Sequence, residues 1–274
     1  MKMADSFESG VSAEGNGRRI SVSVLASGSR GNATYISDGR TAILIDAGLS
    51  GVEIQRRMAC KGLDPNNLDA ILVSHEHADH IHGVGVLSRR FGLTVYINDG
   101  TRQASENALG KLYGLFPFSC GHAFAIGSLA IHPFSISHDA EDPAGFTISC
   151  NGAKVGVATD LGIASGVVKT HLKACDILIL EANHDPQMLI DGPYPWPLKQ
   201  RIRGRSGHLS NEDTALLLEV LQHDRLAHVI LAHLSEENNT PEKARQAIKT
   251  VLNGACVKLH VASQAEGSRL LTLS

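Results

Sequence analysis

Short apolar runs alternate with amphipathic stretches along most of the chain. Runs rich in Val and Ile that stop near Gly, Asp or Asn predict strands over 21–26, 34–37, 42–46, 70–74, 94–97, 129–137, 145–150, 154–158, 177–180, 228–232 and 257–261. Helical spacing of apolar residues predicts helices over 51–61, 79–90, 101–109, 163–171, 211–223 and 241–252. Ser210 with Asp213 forms a capping-box pattern, and Thr240 before Pro241 reads as a helix cap followed by its first residue. Segments 110–120 and 185–197 are expected to be long loops, the second carrying Pro186, Pro193, Pro195 and Pro197. Early hairpins followed by mixed strands and helices imply an α/β (α+β) fold with two sheets and helices outside them.

A single domain over 20–274 fits this pattern, since 274 residues bury a large core unaided. Residues 1–19 are polar and rich in Gly, Ser and Glu, and are expected to form a disordered leader. They contain no apolar run of the secretory kind, and no run elsewhere reaches membrane-spanning length. The five cysteines are odd in number and scattered, which predicts reduced thiols and a cytoplasmic location. A net charge of −3 excludes a global basic field, so a nucleic-acid role needs a local patch. No membrane contact and no obligate protein partner are expected.

The chemistry concentrates in Ser74-His75-Glu76-His77-Ala78-Asp79-His80, between an apolar strand and a helix. His75 and His77 are two apart, so at a strand end they point the same way. Asp79 and His80 open the next helix. Imidazole and carboxylate donors suit zinc first, and also manganese or iron. His138, Asp160 and His233 each follow a predicted strand, at the end where loops converge on a site in α/β sheets.

H-x-H-x-D-H resembles the signature of the metallo-β-lactamase superfamily. That resemblance implies a four-layer αββα sandwich and two divalent metal ions. His75, His77 and His138 would hold one ion, Asp79, His80 and His233 the other, and Asp160 would bridge them. Asp79 would serve catalysis as well as binding. Asp46, in Leu44-Ile45-Asp46-Ala47-Gly48, would orient ligands from behind, with His184 a further supporting residue. A metal pair activates water for attack on phosphodiesters, thioesters, lactones or β-lactams, and the fold alone does not choose among them.

Gly207-His208-Leu209-Ser210-Asn211 resembles a stretch of ribonuclease Z-like phosphodiesterases and marks His208 as a general acid. Lys199, Arg201, Arg203 and Arg205 form a local cationic stretch suited to a polyanion. Ser235, Asn238 and Asn239 after His233, and Ser27, Ser29 and Asn32 in a small-residue loop, are further candidates for phosphate contact. The segments L-A-S-G-S-R-G-N, S-H-E-H-A-D-H, A-T-D-L-G, E-A-N-H-D, L-K-Q-R-I, G-H-L-S-N and L-A-H-L-S-E-E-N-N-T, lying between Leu25 and Thr240, resemble the YycJ/WalJ-like proteins. The resemblance implies a 5′-to-3′ exodeoxyribonuclease, with DNA as substrate. The alternatives are a phosphodiesterase for a small cyclic or nucleotide substrate, a thioesterase or lactonase, a non-catalytic metal binder and a diiron redox protein.

Overall fold

A computed structural model describes residues 19–252 and 256–273. Apart from Arg19, the expected leader lies outside the described residues. The first half carries β1 (Ile20–Ala26), β2 (Ala33–Ser37), β3 (Ala42–Ile45), α1 (Gly51–Ala59), β4 (Ala70–Leu72), α2 (Ala78–Ile81), α3 (Val84–Phe91), β5 (Thr94–Asn98), α4 (Asp99–Leu109) and β6 (Gly114–Phe118). The second half carries β7 (Phe124–Ile126), β8 (Leu129–Ser135), β9 (Ala144–Cys150), β10 (Ala153–Ala158), α5 (Gly166–Leu172), β11 (Ile177–Glu181), α6 (Pro186–Asp191), α7 (Trp196–Arg203), α8 (Asn211–Leu221), β12 (His228–Ala232), α9 (Pro241–Val251), β13 (Lys258–Val261) and β14 (Leu271–Leu273).

Two seven-stranded sheets result, ordered β14-β1-β2-β3-β4-β5-β6 and β13-β12-β11-β10-β9-β8-β7. Each is antiparallel at one end and parallel at the other: β3 to β6 run parallel in the first, β10 to β13 in the second. Alternation along the strands separates the layers. Ile177 and Ile179 of β11 face the other sheet, while Leu178 and Leu180 face the helices. The inter-sheet core joins Ile20, Val22 and Ile43 to Phe146, Val155 and Ile230. Leu217, Leu218 and Ile248 cover the outer face of the second sheet, and Ile54, Met58 and Leu87 that of the first. Each fully buried side chain of this size contributes about 1.5–3 kcal/mol. The architecture is the four-layer αββα sandwich.

Several expectations are corrected. The helix expected over 79–90 is two helices, broken at Gly83. Gly83 N–H donates to Ala47 O at 2.7 Å, and a Cβ there would lie 2.3 Å from Leu49 O, so this backbone packs directly on the loop after β3. The expected loop 110–120 contains β6, paired parallel to β5. Pro117 hides it in the sequence, and a proline is tolerated there because β6 ends its sheet. The expected loop 185–197 contains α6, capped by the Asp185 side chain, which accepts from Met188 N–H at 2.9 Å. It also contains the start of α7, which carries Lys199, Arg201 and Arg203 of the cationic stretch. The strand expected over 42–46 stops at Ile45, because Asp46 turns into the left-handed region at φ 61°. All five cysteines are free thiols. Among the described residues no helix is long and apolar enough to cross a membrane.

Candidate metal centre

The ends of β3, β4, β8, β10, β11 and β12 deliver their polar residues to one edge of the sandwich. Asp46, Asp160 and His233 all have left-handed backbone, with φ 61°, 55° and 55°. Such conformations cost non-glycine residues on the order of 1–3 kcal/mol each and persist where their surroundings enforce them. Each side chain is thereby turned back over the strand end. Gly48 makes a close approach of the first sheet possible. A Cβ there would lie 1.6 Å from Asp79 O, so the loop after β3 lies flat against the turn that carries Asp79.

Ring orientations follow from the hydrogen bonds. Asp46 accepts from Ser74 N–H (2.8 Å), Ser74 Oγ (2.7 Å) and His80 Nδ1 (2.8 Å). Ser74 spends its one proton on Asp46, so it accepts from His75 Nδ1 at 2.9 Å. His75 Nε2 is then bare, and lies 3.1 Å from His77 Nδ1. His138 Nδ1 faces Gly207 O at 3.3 Å and His233 Nδ1 donates to Glu181 Oε1 at 2.8 Å, which turns both Nε2 atoms inward.

The ligand atoms of His75, His77 and His138 lie within 4.8 Å of one another, as do those of Asp79, His80 and His233. Asp160 stands between the groups, 3.3 Å from His80 Nε2, 3.5 Å from His233 Nε2 and 3.9 Å from His138 Nε2. Asp160 Oδ2 and His233 Nε2 are buried without a hydrogen-bond partner. Inward-facing imidazole lone pairs, buried carboxylates and orphaned polar atoms form a donor set that fits divalent cations.

Burial opposes charge throughout the cluster, and the neighbours decide the outcome. Burial pushes His80 and His233 down, but Asp160 reverses this for both, with Asp46 on His80 and Asp79 and Glu181 on His233. His233 ends at about 10 and His80 well above the usual imidazole range. His75 and His138 are depressed by burial, and Asp79 and Asp160 are held well below the usual carboxyl range by facing histidines. At neutral pH the metal-free protein therefore holds extra protons on His80 and His233, while His75, His138, Asp79 and Asp160 are already bare. A divalent metal must displace those protons, so its affinity should rise with pH up to about 10. Zinc titrations by calorimetry in buffers of different ionisation enthalpy should show release of about two protons. Heats independent of the buffer would refute this.

The sequence reading missed Glu181. It is fully buried and ties two histidines together: Oε1 accepts from His208 Nδ1 and His233 Nδ1, both at 2.8 Å, while Oε2 accepts from Leu161 N–H and Leu209 N–H. Burial raises this carboxyl, but His208 and His233 outweigh it and hold it at about 2. An acid ending the run Ile-Leu-Ile-Leu-Glu, on the same inward alternation as Ile177 and Ile179, was the available signal. His184, expected in support, is buried nearby with Nδ1 unpartnered; burial lowers it to about 4.

A cavity of about 260 Å³ opens beside the cluster, lined among others by Asp79, His208, Ser29, Ser235 and Arg201. Other expected substrate contacts lie elsewhere. Ser27 is buried and accepts from His233 N–H at 2.6 Å. Asn32 is buried and reaches Asp79 Oδ2 (3.1 Å) and His80 Nε2 (3.0 Å) through Nδ2, so it braces the cluster. Lys199 is buried and donates to Ile190 O and Gly192 O. Asn238 is buried under Gly192, and Asn239 exchanges amide hydrogen bonds with Asn211. Arg203 and Arg205 are exposed away from the cavity. Lys199, Arg201 and Arg203 are thus dispersed, because a helix points successive residues in different directions, and Arg205 lies beyond the helix.

A β-lactamase superfamily domain matches residues 41–233. The chain belongs to this superfamily. Within the superfamily it is similar to exodeoxyribonuclease YycJ of Bacillus anthracis, 40% identical over 84% of this chain and 88% of the relative. It is also similar to exodeoxyribonuclease WalJ of Streptococcus pneumoniae serotype 2, 41% identical over 82% and 86% of the two chains. Its fold is that of the metallo-β-lactamase fold protein YhfI from Bacillus subtilis, with TM-score 0.72 at 17% identity over 93% of this chain and all of the other. This β-lactamase superfamily member is a hydrolase-family protein, and the metallo-β-lactamase fold implies divalent metal binding.

Proposed function

We propose that this chain is a metal-dependent phosphodiesterase that digests DNA from the 5′ end. The observation that carries the reading is the Glu181 bridge, which sets His208 beside the His/Asp cluster as a proton donor. The relation to two exodeoxyribonucleases at about 40% identity supports DNA as the substrate.

His75, His77 and His138 would hold one divalent ion, and Asp79, His80 and His233 a second, with Asp160 between them. Zinc suits these donors best, with manganese or iron as alternatives. Bound there, the ions would polarise a phosphoryl group and lower the pKa of water toward ~7. Asp46 and Glu181 fix the rings. Asp79, at the cavity edge, helps orient the attacking water. Arg201 holds the phosphate next to the cleaved bond, once released from its ion pair with Asp139. His208 gives its proton to the departing alkoxide. Burial lowers the His208 pKa, but Glu181 raises it overall, which favours the protonated ring that a proton donor needs. The free thiols fit a reducing cytoplasm.

A small nucleotide or cyclic phosphodiester is the second reading. It is favoured by the dispersal of the cationic stretch, which leaves Arg201 as its cavity-lining member.

End-labelled single- and double-stranded DNA, incubated with zinc or manganese beside the His75→Ala variant, separates the two. Stepwise loss from the 5′ end that vanishes in the variant is expected. Intact DNA with any metal, alongside cleavage of a small phosphodiester reporter, selects the second reading. His208→Ala should lower kcat by about 10²–10⁴-fold at saturating substrate. An unchanged kcat would remove it from the proton-donor role.

A further inference from the structure

Part of the cavity lining belongs neither to the His/Asp cluster nor to the residues given a role in cleavage above. Beside the imidazoles and carboxylates of the cluster, the same cavity is lined by Tyr194, Leu198 and Ile202. Leu198, Arg201 and Ile202 stand at i, i+3 and i+4 on α7, so one helix face is turned to the cavity. Tyr194 precedes that helix between Pro193 and Pro195. Proline fixes its own φ and restricts the residue before it to extended backbone, so the backbone that carries Tyr194 is restricted before any ligand arrives.

The segment is also pinned from beneath. The buried Lys199 Nζ donates to Ile190 O at 2.6 Å and Gly192 O at 2.7 Å. Gly192 lies directly on the buried Asn238: a Cβ there would come within 2.3 Å of Asn238 Oδ1. Burying an ammonium is expensive unless it is well hydrogen-bonded. Two carbonyls on the stretch leading to Tyr194 supply those bonds. Lys199 and Asn238 therefore support the stretch that leads to Tyr194.

We infer that Tyr194, flanked by Leu198 and Ile202, is a nucleobase-stacking wall that selects base-bearing nucleotides at the cleaved end. The inference rests on the phosphodiesterase reading and deepens it. A nucleotide carries a flat, weakly polar face one sugar away from its phosphate, and one cavity brings an aromatic ring together with the His/Asp cluster. Arg201 on the same helix face is placed for the adjoining phosphate. Stacking on an aromatic ring tolerates every base, so the wall reads the presence of a base and not its identity.

The test compares ordinary 5′-labelled DNA with DNA carrying a tetrahydrofuran abasic residue at the terminal or the adjacent nucleotide. Wild type, Tyr194→Ala, Tyr194→Leu and Tyr194→Phe are assayed with the metal that supports digestion. In the wild type the abasic substrate should lose roughly tenfold or more in kcat/KM at one of the two positions. Tyr194→Phe should keep that discrimination. Tyr194→Ala and Tyr194→Leu should lose a similar factor on ordinary DNA and cleave both substrates alike. Each ratio is taken within one variant, so a reduced folded fraction cancels, and the leucine variant preserves apolar volume without a ring. Undiminished discrimination in the alanine or leucine variant overturns the inference while leaving the DNA reading intact, as does equal cleavage of both substrates by wild type. No digestion of either substrate by wild type overturns the DNA reading, and the base wall with it.

Discussion

Asp160→Ala should deplete bound metal and abolish phosphodiester cleavage. The Asp160 carboxylate is 2% exposed and lies 3.3 Å from His80 Nε2 and 3.5 Å from His233 Nε2, with His138 Nε2 at 3.9 Å. It therefore reaches members of both ligand groups. Its loss also strands two protonated imidazoles, because Asp160 is the foremost group holding the His80 and His233 pKa values up. Removing one partner from a buried charge cluster costs about 3–5 kcal/mol, so the metal-free variant should melt earlier. Asp160→Asn separates the causes, since asparagine tolerates left-handed backbone and keeps the volume. It should fold better than the alanine variant yet still bind metal poorly. Metal content by elemental analysis decides: full occupancy in either variant would sink the bridging assignment.

Glu181→Gln should cost about 10²-fold in activity, an effect at the upper end for a residue behind the ligands. The carboxylate accepts four hydrogen bonds, from two imidazoles and two backbone amides. An amide turns an NH₂ toward one of those donor pairs and loses the charge. The pH profile carries the more specific signature. Glu181 raises the His208 pKa against burial. Without that charge the His208 pKa falls, a general acid is deprotonated sooner, and the alkaline limb of kcat moves to lower pH. A purely structural residue would lower the amount of active enzyme and leave the limb in place. An unmoved limb with normal kcat would remove Glu181 from the role.

The convergence of these His and Asp residues was legible because they sit just past apolar strands, where the chain leaves the sheet and side chains meet. The layer order was legible for the same reason. What escaped depended on direction and not on residue type. Lys199 and Arg201 look equivalent in the sequence, yet two positions on a helix differ by about 200°, so one is buried under a loop and the other lines the cavity. Asn32 and Ser27 carry groups that suit a phosphate, but they are spent on Asp79, His80 and His233. β6 went unseen because an edge strand with a proline lacks the expected alternation.

The donor set is divided between the two sheets. His75, His77, Asp79 and His80 follow β4 of the first, while His138, Asp160 and His233 follow β8, β10 and β12 of the second. Neither sheet alone carries a complete set. A molecule whose halves have parted, during synthesis or in a transient opening, therefore holds fragments of a centre and no working one. Assembly of the centre is thus interlocked with the finished sandwich: a copy whose sheets have not packed together brings no complete donor set into one place.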